Sequence, residues 1–241
     1  MVEADPVLGA FVAAYPSNRA RLLIPALIVG GAVAVVLNFT TGAVEAWWGP
    51  VVTVALMALV ALGLGWRVLH FWNREIMLFE QGFSYREGAR TVFFHYLEII
   101  SIRQRAERLA YFGGLIRRTS YHYTVSTIKD EQITLNNLYK DVDQLMERVE
   151  AKVTPLLDAR ITAQIKAGES VAFSKSLRIS RDGLHEGGRA LPWADFAGYK
   201  ASAGHLLLLA RPGDAEWFRI PLAEIDNLAV LIGLLRRYTT R

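Results

Sequence analysis

The sequence predicts a mixed α+β chain, with two closely spaced apolar helices near the N-terminus followed by a strand-rich region that runs twice through one order of elements. Three observations carry this. Uncharged stretches long enough to cross a bilayer lie within residues 20–73. From Glu75 onward, short alternating segments are punctuated by Gly-containing turns. Each run of strands is closed by an amphipathic helix.

Of the 241 residues, 52% are hydrophobic, but the excess is local. Up to Asn73 the only charged residues are Arg19, Arg21, Arg67, Glu3, Asp5 and Glu45, so the net charge of +4 belongs to the remainder. Spread over that length, it does not point to nucleic acid. With no cysteine, disulfides, thiolate catalysis, zinc–thiolate sites and iron–sulfur clusters are excluded.

Residues 1–19 read as a short N-terminal segment on the cytoplasmic side. Residues 20–73 read as a transmembrane helical hairpin. Leu22 to Leu37 is unbroken apolar sequence containing Pro25, with neutral flanks as far as Val44, and Trp47 to Trp66 is uncharged throughout. About 20 residues at 1.5 Å each cross a hydrocarbon core of about 30 Å. Trp47, Trp48, Trp66 and Trp72 stand where interfacial aromatic belts belong. Ala26, Gly30 and Ala34 in the first span, and Ala61 and Gly65 in the second, form rows of small residues suited to helix packing. Arg19, Arg21, Arg67 and Arg74 flank the pair, whereas the connection carries only Glu45, so the positive-inside rule places both termini in the cytoplasm, at the inner membrane. A cleaved signal peptide ending near Ala46 is the competing reading, and its apolar core would start unusually late.

Residues 74–153 form the first strand-and-helix run. Glu75–Phe79 turns at Gln81-Gly82 into Phe83–Arg86, and Glu87-Gly88 turns into Arg90–Tyr96. Strands at Ile99–Gln104, Tyr121–Ser126 and Gln132–Leu135 follow. A helix then carries Val142, Leu145, Met146, Val149 and Val153 on one face. Thr154-Pro155 reads as an N-cap followed by proline at the first helical position, so residues 154–169 are expected to form a separate linker helix.

The order recurs over residues 170–241. Asp182-Gly183 and Gly187-Gly188 mark turns between Leu177–Ser180, Leu184–Glu186 and Arg189–Pro192. Strands near Phe196–Lys200, Leu206–Ala210 and Trp217–Ile220 lead to a helix with Leu228, Leu231, Ile232 and Leu235 inward. Gly82-Phe83 corresponds to Gly183-Leu184, and Tyr96-Leu97-Glu98-Ile99 to Trp193-Ala194-Asp195-Phe196.

A run of short antiparallel strands closed by one C-terminal helix is the arrangement of a pleckstrin-homology-like (PH-like) domain. On Gly82, Tyr96-Leu97-Glu98-Ile99, Arg189-Ala190-Leu191-Pro192-Trp193-Ala194-Asp195-Phe196 and the closing helices, the chain resembles a bacterial family of membrane-attached proteins with tandem PH-like domains, over roughly Arg74 to Tyr238. The resemblance implies a fold. It brings no activity, and PH-like folds host lipid binding, peptide binding and scaffolding alike.

The most unusual soluble stretch is Arg103 to Arg118, where Arg103, Arg105, Arg108, Arg117 and Arg118 flank an apolar run that includes Tyr111, Phe112, Leu115 and Ile116. Apolar tips with arginine shoulders suit an anionic bilayer surface. A protein partner, a second copy, or packing against the chain's own sheet would use the same residues. The five histidines lack ligand spacing, no phosphate-binding, hydrolase or zinc-protease motif is present, and no nucleophile–base set is found. No cofactor or metal is expected. Tyr121-His122-Tyr123 has ordinary strand composition, so no nucleic-acid partner is expected either. The sequence therefore points to a non-catalytic module anchored in membrane lipid. The alternatives are a structural subunit docking through its hairpin and an enzyme with a site between the two modules.

Overall fold

The computed structural model describes residues 4–42, 48–111 and 116–239, without the side chains of 4, 41, 42 and 106–119. It is a mixed α+β structure of four antiparallel sheets and four helices. The chain divides into two compact units, one of Met1–Phe93 with Leu138–Lys140, the other of Phe94–Asn137 with Asp141–Arg241.

In the first unit, β1 (Ala4–Asp5) and β2 (Gly9–Pro16) precede α1 (Arg19–Gly42) and α2 (Gly49–Trp72), after which come β3 (Glu75–Phe79) and β4 (Gly82–Glu87). β5 (Arg90–His95) completes a sheet in sequential order and carries the chain out of this unit. The segment before the first helix, given no element by the sequence, is therefore a sheet strand. β2 pairs with β3 from Phe11↔Phe79 to Pro16↔Glu75, so both helices are inserted within one strand hairpin. Leu8, Tyr15, Ile76, Leu78, Phe79 and Phe83 are buried. In the most apolar stretches of the helices, by contrast, 0% of α1 and 6% of α2 is buried.

The insertion closes on itself. Ser17 N donates to Arg74 O at 3.0 Å and Ser17 Oγ to Trp72 O at 2.8 Å. Leu138–Lys140 seals the neck, with Asn18 N donating to Leu138 O at 2.6 Å and Lys140 N to Pro16 O at 3.0 Å. Asn18 Oδ1 accepts from Arg21 N at 3.3 Å, satisfying a free amide of the first turn of α1.

The second unit opens with a 3-10 turn, Tyr96–Glu98, and a sheet of β6 (Ile99–Tyr111), β7 (Ile116–Thr127) and β8 (Gln132–Asn136). α3 (Val142–Lys166) is one helix, not two. Pro155 lies inside it and costs the Ala151 carbonyl its usual donor. Burial decides the outcome: Val149, Val153, Leu157, Ile161 and Ile165 repeat every fourth residue through the proline, and all are buried. β9 (Val171–Ala172), β10 (Leu177–Ile179), β11 (Gly183–Glu186) and β12 (Arg189–Pro192) form one sheet, while β13 (Phe196–Ser202), β14 (His205–Ala210) and β15 (Ala215–Pro221) form another. α4 (Leu228–Thr239) ends the chain's regular structure.

Left-handed backbone residues recur in matching places, Gly88 with Gly187, Asp130 with Asp214, and Asp141 with Asn227 immediately before the closing helices. The acids of both 3-10 turns accept alike, Ile128 N donating to Glu98 O at 2.9 Å and Arg211 N to Asp195 O at 2.7 Å. At Gly183 a side chain would collide with the Leu191 carbonyl, which fixes glycine at that hairpin. Registered on Leu78↔Phe83 and Ile179↔Leu184, Tyr15 opposite Ile76 corresponds to Phe173 opposite Leu177. Where the later run turns with Ser174-Lys175-Ser176, the earlier one holds residues 16–75.

Candidate functional site

Three features could do work: a basic ribbon, an apolar groove on the helices, and a polar neck where the helices leave the sheet. The ribbon follows from strand lengths. β7 pairs with β8 only from His122 to Ser126, whereas its pairing with β6 runs on from Ala106↔Tyr121 to Tyr111↔Ile116. At about 3.3 Å per residue these outer pairs form a two-stranded arm about 20 Å long. The sequence placed these strands correctly but ended them early, since neither outer segment alternates cleanly between apolar and polar residues.

The arginines are distributed along this arm. Arg103 stands at its base, held by Asp226: its Nε donates to Oδ1 and its Nη2 to Oδ2, both at 2.9 Å. The hydrogen bonds to that carboxylate hold the guanidinium above its ordinary pKa. Arg105 is exposed opposite His122. Farther out, the backbone sets Arg108 opposite Thr119, Arg118 opposite Leu109, Arg117 opposite Ala110, and Tyr111 opposite Ile116. Phe112 and Leu115, and the side chains of Arg108, Tyr111, Ile116, Arg117 and Arg118, lie outside the described residues. The structure thus brings the sequence-selected arginines onto one ribbon and gives Arg103 an internal partner.

Asn227, beside Asp226, was not selected from the sequence, yet it anchors this region. Its Oδ1 accepts from Ile102 N at 2.8 Å, its Nδ2 donates to Ile100 O at 3.0 Å, and its own N donates to Ile102 O at 2.8 Å. Arg160 and Arg237 add to the second unit's cohesion, Arg160 Nη1 donating to Ile99 O at 3.1 Å and Arg237 pairing with Asp158. Tyr123, one of the aromatics considered for base stacking, is buried, accepts from Gln104 Nε2 at 3.2 Å, and is pushed up to about 12 by desolvation.

On the helices, Ala26, Gly30, Ala34, Ala61 and Gly65 all line one apolar groove of about 460 Å³. A Cβ added at Gly30 would meet Leu64 Cδ1 at 3.5 Å, an ordinary contact, and one added at Gly65 would meet open space. The small residues therefore shape a groove along the packed pair rather than a tight backbone crossing.

The neck collects polar groups that no local motif announced. Arg74, largely buried, pairs with Glu87, and Tyr85 OH donates to Glu87 Oε2 at 3.3 Å. Arg74 stacks over Phe71 at 4.4 Å, and Arg19 over Trp72 at 4.8 Å. Burial raises the pKa of Tyr85 and, more strongly, of Tyr139. The only sequence signal was the basic flank of an apolar run. Among the described residues no three histidine or acidic side chains are grouped to hold a metal ion.

One family model covers residues 2–240, that of a family of unknown function, DUF6585. No curated protein and no solved structure matches the chain.

Proposed function

We propose, from the premise that the chain belongs to DUF6585, that it is a non-catalytic, membrane-anchored tandem PH-like module whose basic arm engages an anionic lipid surface or a protein partner at the inner face of the membrane. The supporting observation is the insertion of α1 and α2 between hydrogen-bonded neighbours. Pro16 and Glu75 pair in the sheet, with Ser17 and Asn18 alone separating strand from helix on one side and Asn73 and Arg74 on the other. Helices that leave and return at one strand pair have both ends on one side of any bilayer they cross. On this reading two crossings would leave both termini on the sheet's side, and the arginine flanks support the cytoplasm as that side. Helices almost wholly unburied are not core helices of this fold, and a first helix preceded by a paired strand is unlike a cleaved leader.

The PH-like reading is supported by the element order: once α1 and α2 are set aside, five strands in the first run and four in the second lead to a 3-10 turn, three strands and a closing helix. An anchor raises the local concentration of the arm at the membrane, so weak contacts become occupied. The arm carries arginines on both of its strands, each basic residue contributing about 1 kcal/mol near an anionic surface. A second reading, a structural subunit docked through the hairpin, is favoured by the groove that holds all five small residues.

The test uses the full-length chain carrying a C-terminal reporter. Detergent-dependent extraction from membranes and a reporter active only in the cytoplasm are expected. A chain that stays soluble without detergent, or a reporter active outside, refutes the anchored topology.

A further inference from the structure

The second unit contains a cavity that the anchoring role does not use. It lies where α3, α4 and β6 meet, has a volume of about 460 Å³, and is partly open to solvent. That size is typical of pockets for small organic ligands. Its walls are mostly apolar, formed by Ile102, Leu157, Leu228 and Ile232. The Asn227 clamp on β6 positions α4 to form one side, so the hollow is part of the built fold.

One wall residue is out of character. Glu150 enters from α3, half-buried, and among the described residues no hydrogen bond or ion pair reaches its carboxylate. Desolvation holds this carboxyl above its ordinary pKa, which marks a charge that folding leaves uncompensated. The same side chain also borders a shallower open hollow carrying Asp143 and Glu147 from α3 and Tyr123 from β7. That approach is acidic. Arg236, on α4, also lines the cavity; it is exposed and has an interaction of its own.

We propose that this cavity binds a small organic cation with an apolar body, an alkyl- or arylalkylammonium, with the Glu150 carboxylate as its counter-ion and Leu157, Leu228 and Ile232 around the body. An ammonium group would give the Glu150 carboxylate a partner, and the acidic outer hollow draws in that sign of charge. The apolar walls select against strongly hydrated inorganic cations. The uncompensated charge costs stability, which is the expected signature of a residue kept for binding.

Gly233 supplies a clean control. It lines the cavity, and a Cβ built there meets nothing within 4 Å. Gly233→Leu therefore has an unobstructed Cβ from which to add bulk to the hollow, and it replaces a poor helix former by a good one. The experiment is calorimetric titration of the full-length protein in nanodiscs of zwitterionic lipid with 2-phenylethylammonium, empty discs serving as the blank and 3-phenylpropionate as the matched anion. Saturable one-to-one binding of the cation, none of the anion, at least tenfold weaker binding by Glu150→Gln, and none by Gly233→Leu with an unchanged or raised melting temperature are expected. Absence of saturable cation binding, equal binding of the anion, or a Glu150→Gln variant that binds as the parent does overturns the proposal. If Gly233→Leu lowers the melting temperature, the Glu150→Gln comparison decides alone. None of these outcomes depends on which side of the membrane the unit faces, so failure here leaves the anchoring proposal standing.

Discussion

If α1 and α2 are an insertion in a complete sheet, their removal should leave a folded, water-soluble chain. The perturbation is replacement of residues 16–75 by Ser-Lys-Ser, the sequence of the turn at 174–176, which joins Tyr15 directly to Ile76 as Phe173 is joined to Leu177. The excision removes four hydrogen bonds at the neck, those from Ser17 N, Ser17 Oγ, Asn18 N and Lys140 N, together with the Arg74–Glu87 pair. At about 1 kcal/mol per hydrogen bond, and no more than about 1 for a partly exposed ion pair, the loss is about 4–5 kcal/mol. Shortening the connection roughly twentyfold returns about 2–3 kcal/mol of closure entropy. The incoming turn brings its own bonds: in its native place Ser174 Oγ accepts from Ser176 N at 3.1 Å and from Leu177 N at 2.9 Å. The net cost is thus about 2 kcal/mol, small against the roughly 5–15 kcal/mol that holds a typical domain folded.

The assay is sedimentation without detergent, followed by a circular-dichroism melt. A soluble chain with a cooperative transition is expected, together with protection of the Ile76 amide, which requires β2 as its neighbour. An insoluble chain, or one soluble but lacking a cooperative transition, refutes the insertion. The design keeps β2, because a fragment beginning at residue 74 would leave β3 without the partner that shields it.

Four further outcomes follow from the geometry. Asn227→Ala removes two side-chain bonds to β6 and places a Cβ-bearing residue without the asparagine's local bonding at a φ of 54°, so it should cost about 2–3 kcal/mol and expose the Ile102 amide to exchange. Pro155→Ala restores a donor to the Ala151 carbonyl on an exposed stretch of a continuous helix, raising stability by up to about 3 kcal/mol in a denaturant titration, whereas a helix that restarted at Thr154 would lose stability instead. Glu150 carries a raised pKa, so the folded state holds its proton to higher pH than the unfolded one; stability should fall as pH rises from the ordinary value of 4.5 through the folded one, and Glu150→Gln should abolish that decline and be the more stable protein at pH 7. In the excised chain, Arg117→Glu with Arg118→Glu should weaken flotation with anionic vesicles by about 2 kcal/mol or more, and unchanged flotation would remove lipid as the arm's target.

The sequence revealed most where one residue type answers one physical demand. Gly183 cannot carry a side chain beside the Leu191 carbonyl, so the glycine shared with Gly82 marked a hairpin correctly. The aromatic–any–acid triplets were visible because both fold into the same 3-10 turn with the same carbonyl acceptance. What stayed hidden lacked such a demand. β2 reads Gly-Ala-Phe-Val-Ala-Ala-Tyr-Pro and buries only Tyr15, so it shows no alternation, and its partner lies beyond the two helices. The break expected at Thr154-Pro155 was sound local chemistry overruled by five buried residues spaced across it. Asn227 and Glu150 gave no signal at all, since their roles depend on neighbours 125 and about 50 positions away in the chain.

The insertion changes what the anchor means. A helix tied to a domain by a flexible linker restrains distance and leaves orientation free. Here the strands become helices within two residues on either side, and Ser17, Asn18 and Arg74 are bonded to one another's segments and to Leu138–Lys140. A bend at this neck would break those bonds before it gained any freedom. The first sheet is accordingly set at a fixed angle to the axis of the helix pair, with Trp72 and Phe71 under the arginines Arg19 and Arg74 at the boundary. If the helices cross a membrane as proposed, such a joint would hold the first sheet in one orientation to the membrane plane.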